Sequence, residues 1–147
     1  MDLRTELSAA FGPIDRTALA HLRTLFDETE PLIDHTAYDD PLDPRVLRVE
    51  LSEGFGTAGR FDVRWSDLEY YSFHYTEPGL DVRFDRHPNT HSPEKHVHSP
   101  PNTAKAAAES CIDVERVELV GLAVLRQWRT ALARDDPAVL NEGENPP

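Results

Sequence analysis

Between Arg86 and Pro101 the chain reads Arg-His-Pro-Asn-Thr-His-Ser-Pro-Glu-Lys-His-Val-His-Ser-Pro-Pro, and four of its seven histidines stand here: His87, His91, His96 and His98. Four prolines, Pro88, Pro93, Pro100 and Pro101, keep the stretch out of a helix and out of a central strand. Apart from Val97 it offers almost nothing to bury. A segment of so little core value, crowded with groups that titrate near neutrality, is the expected working part of the molecule. The plainer alternative is a solvated surface loop that is rich in histidine.

Two kinds of chemistry suit these residues. The first is metal-free acid/base cleavage of RNA. A 2′-hydroxyl must lose its proton, a leaving oxygen must gain one, and the charge that develops on phosphorus needs cations around it. Histidine fits the two proton transfers, and arginine and lysine fit the third role. His74, His96 and His98 are the candidate acid and base, with Arg64, Arg83 and Lys95 as phosphate clamps. Tyr70 is placed to stack on or bond to a nucleotide. His96 and His98 are two apart, so an extended backbone turns both rings to one side.

The second is a divalent metal site such as zinc. His87, His91, His96 and His98, with Asp85 or Glu94, supply enough imidazole and carboxylate for it. Their spacing matches no specific zinc signature, and Pro88 and Pro93 argue against a helix that aligns His87 with His91. A Ser/His/Asp triad also stays open, although no Gly-x-Ser-x-Gly elbow is present. A third class, a non-catalytic binding module, needs no turnover at all.

The elements that must position these groups are legible as periods. Asp2 to Phe11 reads as a short helix ended by Gly12-Pro13, and Asp15 caps a second helix to about Asp27. Glu30 to Pro44 has no strong period and reads as a connector. Then four segments alternate: Leu47, Val49, Leu51; Phe61, Val63, Trp65; Tyr71, Phe73, Tyr75; and Leu80, Val82, Phe84. Turn residues separate them, Glu77-Pro78-Gly79 most clearly. The period predicts a four-stranded antiparallel β-meander with one apolar face that helices must cover. Its other face carries Arg48, Glu50, Asp62, Arg64, Tyr70, Ser72, His74, Arg83 and Asp85. That face is either a solvated array of ion pairs or the floor of a groove, and the histidine stretch leaves directly from its fourth strand. Asn102 to Ser110 is alanine-rich, a short helix or a connector. Asp113 caps a last helix, about Val114 to Ala133, whose stripe Val117, Val120, Val124, Trp128 and Leu132 faces the core. The expected architecture is one α+β domain over residues 1–134, followed by a disordered acidic tail over 135–147.

Charge adds a further expectation. The chain has 27 acidic and 15 basic residues, net −12, and its bases are 13 Arg against two Lys. Acid excess with few lysines fits a halophilic surface, where salt screens self-repulsion. Global acidity then says little about the partner, and a local basic patch becomes the feature to seek. The single Cys111 excludes a disulfide framework within the chain and a cysteine-based zinc site, and it fits a cytoplasmic protein. No apolar run reaches bilayer length.

Leu80-Asp-Val-Arg-Phe-Asp, the histidines and prolines after it, and Glu94-Lys95-His96-Val97-His98 resemble the TumE-type toxins, small proteins of toxin–antitoxin systems. Members share a strand ending in an Arg-aromatic-Asp element, matched by Arg83-Phe84-Asp85. A loop ending in a Lys/Arg-His-aliphatic element follows, matched by Lys95-His96-Val97, and then a final helix. The strand Tyr71 to Tyr75 also fits the family pattern. Arg86 stands where the family often has Asn, and His98 where it often has Gly. The resemblance implies a toxin whose partner is a cognate antitoxin, with RNA cleavage plausible by analogy to other small toxins. With it, the expected catalytic set is His74, Arg83, Asp85, Lys95, His96 and His98, and the expected RNA-binding set is Arg64, Tyr70 and Arg86. No cofactor is expected unless the metal alternative holds.

Overall fold

The computed structural model describes residues 11–87, 94–98 and 108–141. Within them an antiparallel sheet of seven strands runs in chain order: β1 (Ile33–Tyr38), β2 (Leu47–Leu51), β3 (Arg60–Trp65), β4 (Tyr71–Glu77), β5 (Leu80–Arg86), β6 (Lys95–His98) and β7 (Ala108–Glu109). Two helices, α1 (Arg16–Thr29) and α2 (Val117–Ala133), complete the core, and a short 3-10 helix spans Pro137–Asn141.

The α+β class and the four alternating strands stand, and the strand count is corrected from four to seven. Strand β1 lies in the supposed connector. It is an edge strand with one buried residue, and that residue is the polar Thr36, so it shows no apolar alternation. Its anchor is Arg23 of α1, which donates to the Thr36 hydroxyl and carbonyl at 3.0 Å each. Strand β6 forms within the histidine stretch between its prolines, where Lys95–His98 pairs with β5 in the register Arg83–His98, Phe84–Val97, Asp85–His96 and Arg86–Lys95. Strand β7 lies at the end of the alanine-rich segment.

Burial follows the alternation. Leu47, Val49, Leu51, Phe61, Val63, Trp65, Tyr71, Phe73, Tyr75, Val82, Phe84 and Val97 are all buried on one face. The stripe of α2 lies against them, with Trp128 meeting Phe61 and Tyr75 at ring separations of 6.2 and 6.1 Å. Helix α1 adds Leu19, Leu22 and Phe26. The two helices cross closely because residue 121 is glycine, where a Cβ atom would come within 2.7 Å of Leu22. The β4–β5 hairpin needs only Pro78-Gly79, and Gly79 takes a φ of 81°, a left-handed conformation that glycine adopts without strain.

The helix ends differ in how well sequence locates them. Asp15 caps α1 as expected, its carboxylate accepting from Ala18 N at 3.0 Å. Helix α2 starts three residues late, at Val117 after Arg116 rather than after Asp113. The carbonyls of Asp113 and Val114 are instead taken by the Lys95 ammonium. At its other end, Asp135 N bonds Leu132 O and Asp136 N bonds Ala131 O, with Asp135 at φ 51°, a Schellman closure built without glycine. The tail expected to be disordered from 135 therefore remains part of the domain to Asn141. Leu140 is buried, and the Asn141 side chain binds both Cys111 N and Glu109 O. Of the helix expected over residues 2–11, all but Phe11 lies outside the described residues, as do residues 142–147. No helix among the described residues is long and apolar enough to cross a membrane.

Candidate active site on the polar face of the sheet

Pairing arranges the polar face into two rows. Arg64 faces Ser72, Ser72 faces Asp85, and Asp85 faces His96, which places these four across β3 to β6. The adjacent row runs Arg48, Asp62, His74, Arg83, His98 across β2 to β6. Direct antiparallel partners share a face, so strict alternation in each strand is what brings residues 48 to 98 together. The short β4–β5 hairpin fixes the register at the centre.

The hub is Asp85, whose side chain is only 2% exposed. Arg83 Nε donates to its Oδ2 at 2.6 Å. Three imidazole Nε2 atoms surround the same oxygen, His96 and His98 at 3.6 Å and His87 at 3.9 Å. The rings meet edge to face, His87 with His96 at 4.7 Å and His96 with His98 at 5.2 Å. Burial opposes ionisation of Asp85. The His96 ring, the Arg83 charge and the Ser72 hydroxyl more than offset it and hold the carboxyl below the ordinary aspartate pKa. The carboxylate is therefore anionic throughout the neutral range.

Arg64 completes the cluster. Burial lowers its pKa, the Asp85 charge raises it and the Arg83 charge lowers it, and it remains a cation. Its guanidinium lies 4.6 Å over the Phe11 ring. Beside it opens a cavity of about 500 Å³ lined by Phe11, Arg16, Asp39, Asp43 and Arg45.

The expected residues divide. Asp85, Arg83, His96 and His98 come together, His74 lies across from Arg83, and Arg64 sits in the Asp85 row. His96 is fully buried and offers no surface to a substrate. His74 is about a third exposed, and its Nε2 lies 2.9 Å from Asp81 Oδ1. Lys95 and Arg86 are not in the cluster. They occupy the row that continues from Tyr71, on the helix side of the sheet. There Lys95 lies 3.6 Å and Arg86 4.0 Å from Glu115, and Arg86 also reaches Glu94 and the Glu69 carbonyl. They fasten the β5–β6 edge to the approach of α2. Tyr70 sits half-buried in the turn before β4, where its backbone N binds the Ser66 hydroxyl. His91 lies outside the described residues.

For a metal, three of the expected donors come together among the described residues. One ligand atom from each of Asp85, His87 and His96 lies within 4.8 Å of the others. The role of Ser72 beside Asp85, and of Phe11 under Arg64, escaped sequence reasoning. Ser72 carried a signal, since alternation puts it on the polar face. Phe11 carried none, because an apolar residue near a helix end reads as core.

A family model described as Toxin TumE matches residues 22–131 of the chain. That span contains every residue of the two rows. No curated protein and no solved structure matches the chain.

Proposed function

The chain belongs to the TumE toxin family, and we propose that this toxin of a toxin–antitoxin pair cleaves RNA on the polar face of its sheet. Its partner is the cognate antitoxin, which acts by covering that face. One observation carries the reading: Arg83 lies between His74 and His98 in a single cross-strand row. A phosphodiester seated over Arg83 has an imidazole on each side. One takes the proton of the 2′-hydroxyl as its oxygen attacks phosphorus. The other gives a proton to the departing 5′-oxygen, leaving a cyclic 2′,3′-phosphate and a 5′-hydroxyl. The Arg83 guanidinium, with Arg64 in the next row, balances the charge that grows on the non-bridging oxygens.

Buried Asp85 and His96 act as positioning residues. Asp85 holds the Arg83 fork, and its Oδ2 lies 3.6 Å from the His98 ring. His96 packs edge-on against His98 and fixes its plane. Of the pair that does the proton transfer, His98 is 17% exposed, enough for one ring edge to reach a substrate.

The test is inducible expression of the wild type and of His98→Ala, following growth, total RNA and protein level. Growth arrest with RNA loss is expected for the wild type. For folded His98→Ala, purified enzyme should cleave about 10²- to 10⁴-fold more slowly, the range a positioned acid or base supplies. Intact RNA, or a folded His98→Ala protein as toxic as the wild type, overturns the reading. Stoichiometric RNA capture without turnover would make the chain a binding module.

A further inference from the structure

We propose that Asp85, His87 and His96 form a site for a divalent transition metal of the zinc class, a role separate from the RNA chemistry of His74, Arg83 and His98. The geometry comes first. The three ligand atoms lie within 4.8 Å of one another, with Asp85 Oδ2 at 3.6 Å from His96 Nε2 and 3.9 Å from His87 Nε2. Ligands on a tetrahedral zinc ion, with bonds near 2 Å, stand roughly 3.3 Å apart, so small side-chain shifts suffice.

The donor set selects the ion. Two imidazoles and one carboxylate suit zinc and its transition-series neighbours, whereas magnesium and calcium ask for all-oxygen shells. Cys111 stands elsewhere, so no thiolate takes part. Three protein ligands leave a fourth position open, and His87, about a third exposed, marks the solvent side of it.

The second coordination layer is also in place. Arg83 holds Asp85 Oδ2 at 2.6 Å, as carboxylate ligands are commonly held. Its charge repels the ion as well, and Arg64 adds to that repulsion, so the site binds and releases rather than locking a permanent ion. Occupancy puts a dication within one row of Arg83 and pulls the Asp85 carboxylate and the His96 ring toward itself. Both of the supports behind His98 are thereby redirected, so the metal-loaded protein is the inactive form if the RNA reading holds. The binding claim itself does not depend on that reading.

The test uses the full chain and zinc alone. Equilibrium dialysis should find one zinc per chain, at least about tenfold weaker in His87→Ala and unchanged in His35→Ala, a histidine on the exposed edge strand. Zinc should raise the Tm of the wild type and not of His87→Ala. In the wild-type protein, imidazole NMR resonances of His87 and His96 should move on zinc addition while those of His21 and His35 stay, a readout that no folding defect can disturb. No zinc uptake, equal uptake by His87→Ala, or movement confined to other histidines overturns the site. RNA cleavage measured in chelator reports separately on the acid/base reading.

Discussion

Asp62 and Asp85 sit two strands apart on the same face of the same sheet, and each gathers positive groups. Asp62 takes Arg48 at 3.1 Å and Arg60 at 3.3 Å, with its side chain 21% exposed. Asp85 takes Arg83 at 2.6 Å and stands among three imidazoles, nearly without exposure. Around Asp62 water can replace any lost partner, so the ladder is an ordinary solvated array. Around Asp85 water cannot, so each neighbour is held by the others. In an acid-rich protein the useful mark of a candidate site is thus the carboxylate whose partners water cannot replace.

That contrast can be broken most sharply at Asp85 itself. Asp85→Ala removes the buried anion that Arg83 and three imidazoles surround and should cost about 3–5 kcal/mol in urea denaturation, as the loss of one buried charge partner does. A loss below about 1 kcal/mol would put Asp85 in the same class as Asp62. Asp62→Ala should cost no more than about 1 kcal/mol, and less in high salt, which screens exposed pairs. Arg48→Ala should leave RNA cleavage unchanged where His98→Ala abolishes most of it, and an equal loss in both would make the whole face one site.

The smallest expected effect is at Asp39. Burial raises its pKa, but the backbone N–H groups around it, those of Arg45 and Val46 at 2.9 and 3.0 Å foremost, together outweigh this and lower it. A carboxyl depressed in the folded state stabilises the protein above its unfolded pKa of about 3.9 and loses that contribution as pH falls through the folded value. Asp39→Asn should therefore be slightly less stable than the wild type at neutral pH, with the gap closing in acid. A gap that persists at low pH would assign the effect to something other than ionisation.

What could be read in advance followed burial. Strands β2 to β5 bury one face almost throughout, with Leu80 only partly covered, so Leu47 to Phe84 announce themselves with a period of two. Strand β1 pairs through its backbone and through Arg23 on Thr36, a contact between residues 13 apart that no period records. Strand β6 was masked by prolines that flank it without entering it, although the spacing of His96 and His98 already placed both rings on one side. For the site, alternation found Arg64, Ser72, His74, Arg83 and Asp85. It could not show that Lys95 and Arg86, one residue out of phase with His96 and Asp85, face the helices. Lys95 is expected as a phosphate clamp from its charge as well as from the resemblance, and the pairing register puts it on the helix side of the sheet instead.

The strand order has a consequence for the ribosome. Because β1 to β7 pair only with their neighbours in sequence, each hairpin closes a short loop and can form as the chain emerges. The apolar face, however, waits for α2, which is translated after every residue of the two polar rows. A nascent chain thus carries all its histidines before it has the helix that makes the sheet stable. The helix that stabilises the sheet leaves the exit tunnel only after both polar rows have done so.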